Sequence, residues 1–323
     1  MRPVCLAILI GSATLMSCSE PSLRHTASSE PVTPAKDPAM LMSWADLTRR
    51  PLPSPTTSRR YAPHESGLVD IWIPDTAPPH PVIVMIHGGC WQKAIADRTL
   101  MNYAAEDLRS AGLAVWNIEY RGVDEAGGGF PGTFKDVSQA VDLLGLEGPD
   151  LGLDVSNLVA FGHSAGGHLA GWVAARANLP PDSPLSGDVP VSFGAVINSG
   201  GLADLAASKA VTLPSCLSDI MDRLTGTPEP GRRNVLEDTS VASLLPLPAR
   251  LINVSGDQDR ISPPHLGRSL TEKARASGGV SAYYELADSG HVELIAPGTE
   301  AFEVQKRLMM SLLSDSLLPE AEE

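Results

Sequence analysis

Residues 158–167 read Leu-Val-Ala-Phe-Gly-His-Ser-Ala-Gly-Gly, and the rest of the fold can be worked out from this stretch. Its four leading apolar residues predict a buried strand, and the Ala- and Gly-rich sequence that follows predicts a helix over 165–177. Between strand and helix lies a Gly-x-Ser-x-Gly motif, whose central Ser164 must stand on a sharp turn. Gly162 and Gly166 lack the Cβ atoms that would clash in such a turn. The stretch therefore predicts Ser164 as a nucleophile at the end of a strand.

Short apolar runs, and one segment of alternating apolar residues at 68–73, recur on both sides of this stretch and alternate with helical patterns. Continuous runs indicate strands buried on both faces. Their alternation with helices is typical of an α/β fold, a mostly parallel sheet with helices on both faces. The long connection over 201–248 holds several helical pieces and predicts a small helical cap insertion above the sheet edge where α/β proteins bind ligands. The predicted strands are 68–73, 82–86, 113–118, 158–161, 194–197, 251–254 and 283–286, and the predicted helices are 99–110, 134–144, 165–177, 266–276 and 301–313.

A second glycine motif, His-Gly-Gly-Cys-Trp at 87–91, follows one of the predicted strands. Paired glycines let the backbone turn its N–H groups toward a developing oxyanion, and the first N–H of the helix after Ser164 supplies another donor. The predicted oxyanion hole comprises Gly88, Gly89, Cys90 and Ala165. We expect His87 to hold the loop by hydrogen bonds, whereas Trp91 either lines the substrate pocket or packs under the loop.

The general base should follow Ser164, because hydrolases with this serine motif order their residues as serine, acid and histidine. Three histidines qualify by position. His168 lies on the nucleophile's own helix and is expected to pack or hydrogen-bond locally, and His265 opens a later helix. His291 follows the strand predicted at 283–286, in a loop that can bring its ring over the serine. We therefore predict His291 as the base.

The acid is expected in the loop after the strand at 251–254, which offers Asp257 and Asp259. An acid in this place orients the imidazole of the base and stabilises its charged form. We predict Asp259, because it lies deeper in the loop, and keep Asp257 as the alternative. Asp288 is a third option, but it is expected to be a turn residue.

Four motifs together resemble the α/β-hydrolase superfamily, and the resemblance runs from about Tyr61 to the C-terminal helix. Within the superfamily, the His-Gly-Gly motif followed by one residue and Trp is similar to the kynurenine formamidase and small carboxylesterase branch. The hormone-sensitive-lipase branch is also similar, but it has a third glycine in place of Cys90. The motifs, in chain order, are HGGCW at 87–91, GHSAGG at 162–167, GDQDRIS at 256–262 and SGH at 289–291.

The resemblance implies a serine hydrolase that cleaves carboxylic esters of small or aromatic substrates through an acyl-enzyme. It implies no cofactor and no metal, and the sequence has neither a Cys-x-x-Cys nor a His-Glu-x-x-His pattern. An aryl formamidase, which hydrolyses an N-formyl arylamine, is the alternative within the superfamily. A non-catalytic binding protein on the same scaffold is the alternative from another class. The joint presence of serine, acid, histidine and oxyanion motifs argues against it.

The first residues carry the pattern of an export signal. Arg2 precedes an apolar stretch from Val4 to Met16, which has the length of a signal peptide and is too short to span a bilayer. Residues 15–18, Leu-Met-Ser-Cys, resemble a bacterial lipoprotein signal, which implies that Cys18 becomes the acylated first residue; an ordinary secretory signal is the alternative. The expected organisation is a signal peptide at 1–17, a flexible Ser- and Pro-rich tether at 18–58 and an α/β-hydrolase domain at 59–323.

These signals predict an exported, membrane-anchored lipoprotein that faces the periplasm or the cell exterior. The expected partners are a small-molecule ester substrate and, through the N-terminal lipid anchor, a membrane. The chain carries a net charge of −14 over 323 residues. An acidic surface repels the phosphates of nucleic acid, so nucleic acid is excluded as a partner.

Two cysteines, Cys90 and Cys216, remain in the mature domain, and an oxidising compartment permits them to pair. Because no sequence feature fixes their separation, the pairing stays open, and two separate buried thiols are the favoured interpretation. Glu119 and Arg121 are expected to form a structural pair behind the site.

Overall fold

The computed structural model describes residues 40–216 and 220–314. Its eight strands are β1 (Thr57–Arg60), β2 (Leu68–Trp72), β3 (His80–Ile86), β4 (Ala114–Ile118), β5 (Leu153–His163), β6 (Phe193–Ser199), β7 (Arg250–Gly256) and β8 (Ser281–Leu286). They form one sheet in the order β1-β2-β4-β3-β5-β6-β7-β8. The pairs β1–β2 and β2–β4 are antiparallel, and every other pair is parallel. The sheet is therefore mostly parallel, as predicted.

Helices cover both faces of this sheet. They are α1 (Trp44–Thr48), α2 (Asn102–Ser110), α3 (Gly132–Glu147), α4 (Ala165–Ala174), α5 (Leu205–Ser215), α6 (Met221–Thr225), α7 (Pro264–Ala276) and α8 (Glu300–Leu313). Successive residues of β3 face two separate cores: Val84 shares one with residues of α3, α4 and α7, and Met85 shares the other with residues of α2 and α8. This alternation is what a strand buried on both faces requires, and it confirms the predicted α/β-hydrolase fold. In the described ranges, no helix is both long and apolar enough to cross a bilayer.

The topology brings the two glycine motifs together. β3 lies between β4 and β5, and in open α/β sheets the carboxyl ends of strands around such a switch in strand order border the ligand crevice. β3 ends at Ile86, immediately before the first motif, and β5 ends at His163, immediately before Ser164. A Cβ placed on Gly88 would lie 3.0 Å from the Cβ of Ser164. The two motifs therefore meet at one edge of the sheet.

The predicted cap insertion at 201–248 contains α5, α6 and a 3-10 helix at Val241–Ser243. Its middle part is fixed to the loop that follows β4. The N–H of Phe130 donates to the carbonyl oxygen of Arg223 at 2.9 Å, and the Arg232 guanidinium lies 3.7 Å from the centre of the Phe130 ring. These contacts hold the insertion against the edge of the sheet that carries Ser164.

The segment before β1 differs from the expected tether. Leu47 on α1 is fully buried, and Ser43 caps that helix in a capping box with Asp46. β1 extends the sheet by pairing with β2. The structure thus corrects the tether boundary at 58, because a few apolar side chains in a Pro- and Ser-rich segment bury against the distant domain surface. The predicted signal peptide, Cys18 and the rest of the tether lie outside the described residues.

Candidate active site

Ser164 stands on the sharp turn between β5 and α4 that its motif predicts. Its φ of +56° lies in the left-handed region, which a non-glycine residue adopts only under strain. Its backbone N–H donates to the carbonyl oxygen of Ser199 at 2.9 Å, and this bond secures the turn. A Cβ on Gly162 would lie 2.1 Å from the carbonyl oxygen of Gly166, and one on Gly166 would lie 2.1 Å from that of Ile86. The flanking glycines are therefore required by close backbone approach.

Asp259 and His291 meet at the ends of β7 and β8. The Nδ1 of His291 lies 2.6 Å from the Oδ2 of Asp259, and both side chains are buried. The other carboxylate oxygen of Asp259 accepts from the backbone N–H groups of Ile261 at 2.8 Å and Ser262 at 2.9 Å. These bonds fix the carboxylate so that it holds the Nδ1 of His291 and leaves the Nε2 of the ring available to accept a proton.

The alternative acids have other roles in the structure. Asp257 is exposed, and its carboxylate accepts from the backbone N–H of Ser289 at 3.0 Å, which shapes the loop that carries His291. Asp288 has a φ of +54°, as a turn residue does. Among these candidates, Asp259 is the acid whose carboxylate holds the Nδ1 of His291.

The four residues predicted for the oxyanion hole surround Ser164 in different ways. Gly89 and Cys90 line the same cavity as Ser164. Their φ angles of +110° and +53° turn the loop sharply at this point. Ala165 is the first residue of α4, so its N–H has no acceptor within the helix. Gly88 packs beneath the serine, where a Cβ would press on Ser164 and His163.

A buried ionic cluster holds the oxyanion loop from behind. The ring nitrogens of His87 lie 2.6 Å from the carbonyl oxygen of Gly88 and 3.0 Å from the Oε1 of Glu119. Glu119 also accepts from Lys93 at 2.7 Å and from the backbone N–H of Arg98 at 3.2 Å. Burial alone would raise the pKa of Glu119, but His87 and Lys93 hold it well below its usual range. The expected role of His87 thus agrees with these contacts.

Glu119 does not pair with Arg121, so the expected pairing of these two residues is wrong. Arg121 forms a two-pronged ion pair with Asp136, at 2.8 Å from its Nε and 2.7 Å from its Nη2. The two residues follow the end of β4 with Tyr120 between them, where the chain is no longer a regular strand, and their side chains turn to different partners. Asp136, on α3, supplies the negative charge that Arg121 needs.

Trp91 packs under the loop, which decides between its two predicted positions. It is fully buried, and its indole N–H donates to the Nδ1 of His168 at 3.1 Å. The Nε2–H of His168 donates in turn to the carbonyl oxygen of Thr239, in the cap insertion, at 2.7 Å. Burial lowers the pKa of His168 to about 4. His168 is therefore a neutral, locally bonded residue, as expected.

Cys90 and Cys216 form a disulfide, with their Cα atoms 5.5 Å apart. The expectation of two separate thiols is wrong, because the cap insertion folds back and brings together positions that lie 126 residues apart in sequence. The bond ties the oxyanion loop to the end of α5. The carbonyl oxygen of Cys216 also accepts from the side chain of Gln92 at 3.3 Å.

His163, the variable residue of the serine motif, is a site residue that the sequence reasoning missed. Its Nε2–H donates to the backbone carbonyl oxygen of His291 at 3.0 Å, and the two ring centres lie 4.3 Å apart. Burial and the neighbouring His291 lower the pKa of His163 well below its usual value, so the ring is neutral. Its position between Gly162 and Ser164 was the available signal. His163 joins the serine turn to the histidine loop.

Trp44 is the second missed residue, and no motif signalled it. Its ring centre lies 6.2 Å from that of His163 and 6.1 Å from that of His291, both in edge-to-face geometry. It borders a cavity of about 270 Å³ that also contains Ser164. The cavity is lined by Trp44, Thr48, Gly89, Cys90, Ile95, Ala96, Leu100, His163, Ser164, Ser215, Ile261 and His291. The predicted nucleophile and base thus share one small, mostly apolar space.

Three solved structures of esterases resemble this chain, and all share its fold. Esterase B from Lactobacillus Rhamnosis is 19% identical, with a TM-score of 0.68 over 82% of this chain and 88% of its own. A truncated carbohydrate esterase from gut microbiota is 19% identical, with a TM-score of 0.64 over 81% of this chain and 98% of its own. A thermophilic esterase from the Planctomycetes species Thermogutta terrifontis is 20% identical, with a TM-score of 0.62 over 82% and 95%. At such identities the likeness establishes the fold alone.

Comparison of the sequence with protein-family models identifies the family of this chain. No curated protein matches the chain. The model of one protein family, BD-FAE, matches residues 69–273, a range that holds Ser164 and Asp259 and leaves Trp44 and His291 outside. Because the match covers more than half of the chain, this protein belongs to the BD-FAE family, an α/β-hydrolase-like esterase family, and is a carboxylesterase-type hydrolase.

Proposed function

We propose that the protein is a serine hydrolase that cleaves carboxylic esters of small or aromatic substrates through an acyl-enzyme. One observation carries the proposal: Ser164, held at a φ of +56°, opens into the same cavity as His291, whose Nδ1 is bound by the buried Asp259. Strain at a turn persists where surrounding structure enforces it, and such residues cluster at active sites. A nucleophile, a base and an oriented acid are the three parts that acyl transfer requires.

In the proposed mechanism, the Nε2 of His291 takes the hydroxyl proton of Ser164 as its Oγ attacks the ester carbonyl. Asp259 keeps the other ring nitrogen protonated and stabilises the imidazolium that forms. The backbone N–H groups of Gly89, Cys90 and Ala165 bind the oxyanion. His291 then gives its proton to the leaving alkoxide, and a water activated by the same imidazole hydrolyses the acyl-enzyme.

The size of the cavity supports a small substrate. Its volume of about 270 Å³ is slightly below the range of roughly 300–1,000 Å³ that is typical of small-molecule sites. Ile95, Leu100 and Ile261 give it an apolar lining, which favours uncharged acyl and alkoxy groups. Long lipid chains exceed this volume.

The test is hydrolysis of phenyl acetate by the purified mature domain in the presence of EDTA. We expect turnover in the wild-type protein and covalent labelling of Ser164 by a phosphonate that reacts with serine nucleophiles, located by peptide mass spectrometry. Ser164→Ala should remove both. A folded wild-type protein that neither turns over activated esters nor reacts with the phosphonate would favour the non-catalytic binding protein instead. Formanilide in the same assay ranks the aryl formamidase alternative against the esterase by kcat/KM.

We propose further that the protein is exported and anchored through acylated Cys18. The disulfide between Cys90 and Cys216 supports an oxidising compartment outside the cytoplasm. Mass spectrometry of the N-terminus of the protein purified from membranes is the test. We expect Cys18 as the first residue with attached acyl chains, and an unmodified N-terminus at another position would contradict the proposal.

A further inference from the structure

We propose that Trp44 is a specificity-determining residue that forms the alcohol-side wall of the site and favours esters with an aromatic alcohol portion. The inference rests on the serine mechanism proposed above. It goes further, because it assigns one half of the substrate to a segment that precedes the matched family range of 69–273.

The first step is that Trp44 is held in place and does not merely rest on the surface. Leu47, three residues after Trp44 on α1, is fully buried in the core and anchors the helix. The backbone N–H of Met42 bonds the carboxylate of Glu293, and the same carboxylate accepts from the backbone N–H of Gly290 at 3.0 Å. Arg50 donates to the carbonyl oxygen of Pro297 at 2.8 Å. α1 is therefore fastened on both sides to the loop that carries His291.

The second step is that one face of α1 forms a wall of the cavity. Trp44 and Thr48 are one helical turn apart, so they lie on the same face, and both line the space that contains Ser164. Ile95 and Leu100 line the same cavity from another segment. A substrate group that extends from Ser164 in this direction therefore meets the indole of Trp44.

The third step identifies that group as the alcohol portion of the ester. His291 must give its proton to the leaving oxygen, so that oxygen lies beside its ring in the transition state. Trp44 packs edge-to-face with the same ring. A second cleft of about 440 Å³ adjoins the cavity and shares Thr48, Ile95, Ala96 and Leu100 with it. The first product to leave is the alcohol, and this cleft gives it a way out while the acyl group stays on Ser164.

The preferred chemistry follows from the indole. Trp44 remains 39% exposed, so part of its ring surface is open to a ligand. Aromatic groups stack on an indole with a preference that exceeds simple area burial, equivalent to about two- to tenfold in a rate ratio. An alkyl alcohol of the same size lacks this contribution.

The experiment compares kcat/KM for benzyl, cyclohexylmethyl and ethyl acetate, which share one acyl group. We expect the wild-type protein to prefer benzyl acetate, and Trp44→Ala to reduce its benzyl-to-cyclohexylmethyl ratio about two- to tenfold. Trp44→Phe, which keeps an aromatic ring, should retain most of the ratio. Met40→Ala is the matched control, because it removes an apolar side chain that is 96% exposed from the same segment and should change neither ratio nor rate.

A parallel acyl series of ethyl acetate, butyrate and hexanoate separates the two halves of the site. Its profile should be the same in the wild-type protein and in Trp44→Ala. An altered acyl profile with an unchanged alcohol ratio would overturn the assignment of Trp44 to the alcohol side, and two unchanged profiles would overturn its role in specificity. Neither result touches the serine mechanism, whereas a wild-type protein inactive on every ester would overturn the proposed function and this inference together.

Discussion

The cavity has two sides that are built in different ways. The sheet side consists of Ser164, Asp259 and His291, each of which follows a strand that pairs in parallel with its neighbours. The cover side consists of Trp44 and Thr48 on α1 together with the disulfide that ties Cys90 to the cap insertion. Residues of the sheet side are positioned by short segments with their own sequence pattern, whereas those of the cover side are positioned by contacts between distant parts of the chain.

This difference assigns the chemistry to one side and selection to the other. A change on the sheet side removes a group that reacts or moves a proton, so its effect falls on kcat. A change on the cover side leaves the reacting groups present and alters the space around them, so its effect falls on substrate preference and on stability. The two sides can therefore be separated by measurement.

The largest expected effect is the loss of the nucleophile or the base. Ser164→Ala and His291→Ala should each lower kcat for phenyl acetate by about 10⁶, and the double variant should be little worse, because the residues act as a unit. Thermal unfolding should show that both variants are folded. Additive losses in the double variant would mean that the two residues do not act in one step. The assignment of the reacting groups to the sheet side would then be wrong.

The next effect separates the two acids of one loop. Asp259→Asn should lower kcat by about 10⁴, because the amide no longer fixes the tautomer of His291 and cannot stabilise its charged form. Asp257→Asn is the matched control, since this exposed carboxylate accepts from the backbone N–H of Ser289, and it should lower kcat far less. The reverse order of effects in steady-state kinetics would transfer the role of the acid to Asp257.

The difference between the sheet side and the cover side also explains which features the sequence could predict. Seven of the eight strands carry a continuous or alternating apolar pattern, and the sheet they predicted is confirmed. β1 was missed because its residues, Thr-Ser-Arg-Arg, form an edge strand of alternating exposure without an apolar run. The positions of Ser164 and His291 at strand ends follow from local motifs.

The cover side could not be predicted for a physical reason. Trp44 contacts His163, 119 positions further along the chain, and Cys90 pairs with Cys216 across 126 positions. Neither contact leaves a periodic or local pattern in the sequence, because each forms only when a separate segment packs against the folded sheet. The pairing of Arg121 with Asp136 instead of Glu119 has the same cause, since the ion pair forms only once α3 packs on β4.

The disulfide tests how far the cover side supports the chemistry. Cys90→Ser with Cys216→Ser should lower the free energy of unfolding by about 2–4 kcal/mol, because the bond closes a long loop in the unfolded chain. The loss in kcat/KM should stay near tenfold, well below the roughly 10²–10³ that removal of an oxyanion donor costs. Urea unfolding and ester kinetics measure the two effects. A loss of activity as large as that of Asp259→Asn would show that the cover side positions the reacting groups. The assignment of chemistry to the sheet side alone would then be wrong.

The smallest effect concerns His168, at which the two sides meet behind Ser164. It lies on α4, accepts from Trp91 of the oxyanion loop and donates to Thr239 of the cap insertion. Burial lowers its pKa to about 4, so the folded protein binds fewer protons at this site than the unfolded chain does. His168 therefore leaves the free energy of unfolding undiminished above the ordinary histidine pKa of about 6.5. The free energy of unfolding falls as the pH falls from there toward 4, because the unfolded chain binds the proton first.

Between pH 7 and pH 5 the loss from His168 amounts to about 2 kcal/mol. His168→Gln, which cannot titrate, should be less stable than the wild-type protein at pH 7 and should show a pH dependence that is shallower by about this amount. His265→Gln, a matched change of an exposed histidine, should keep the wild-type slope. Urea unfolding of the three proteins at both pH values measures the difference, in which the other titrating groups cancel. If the slope of His168→Gln equals that of the wild-type protein, His168 gains its proton as readily in the folded protein as in the unfolded chain, even though a protonated Nδ1 can no longer accept from Trp91. The junction between the two sides would then tolerate a charge that a buried, fully bonded imidazole should exclude.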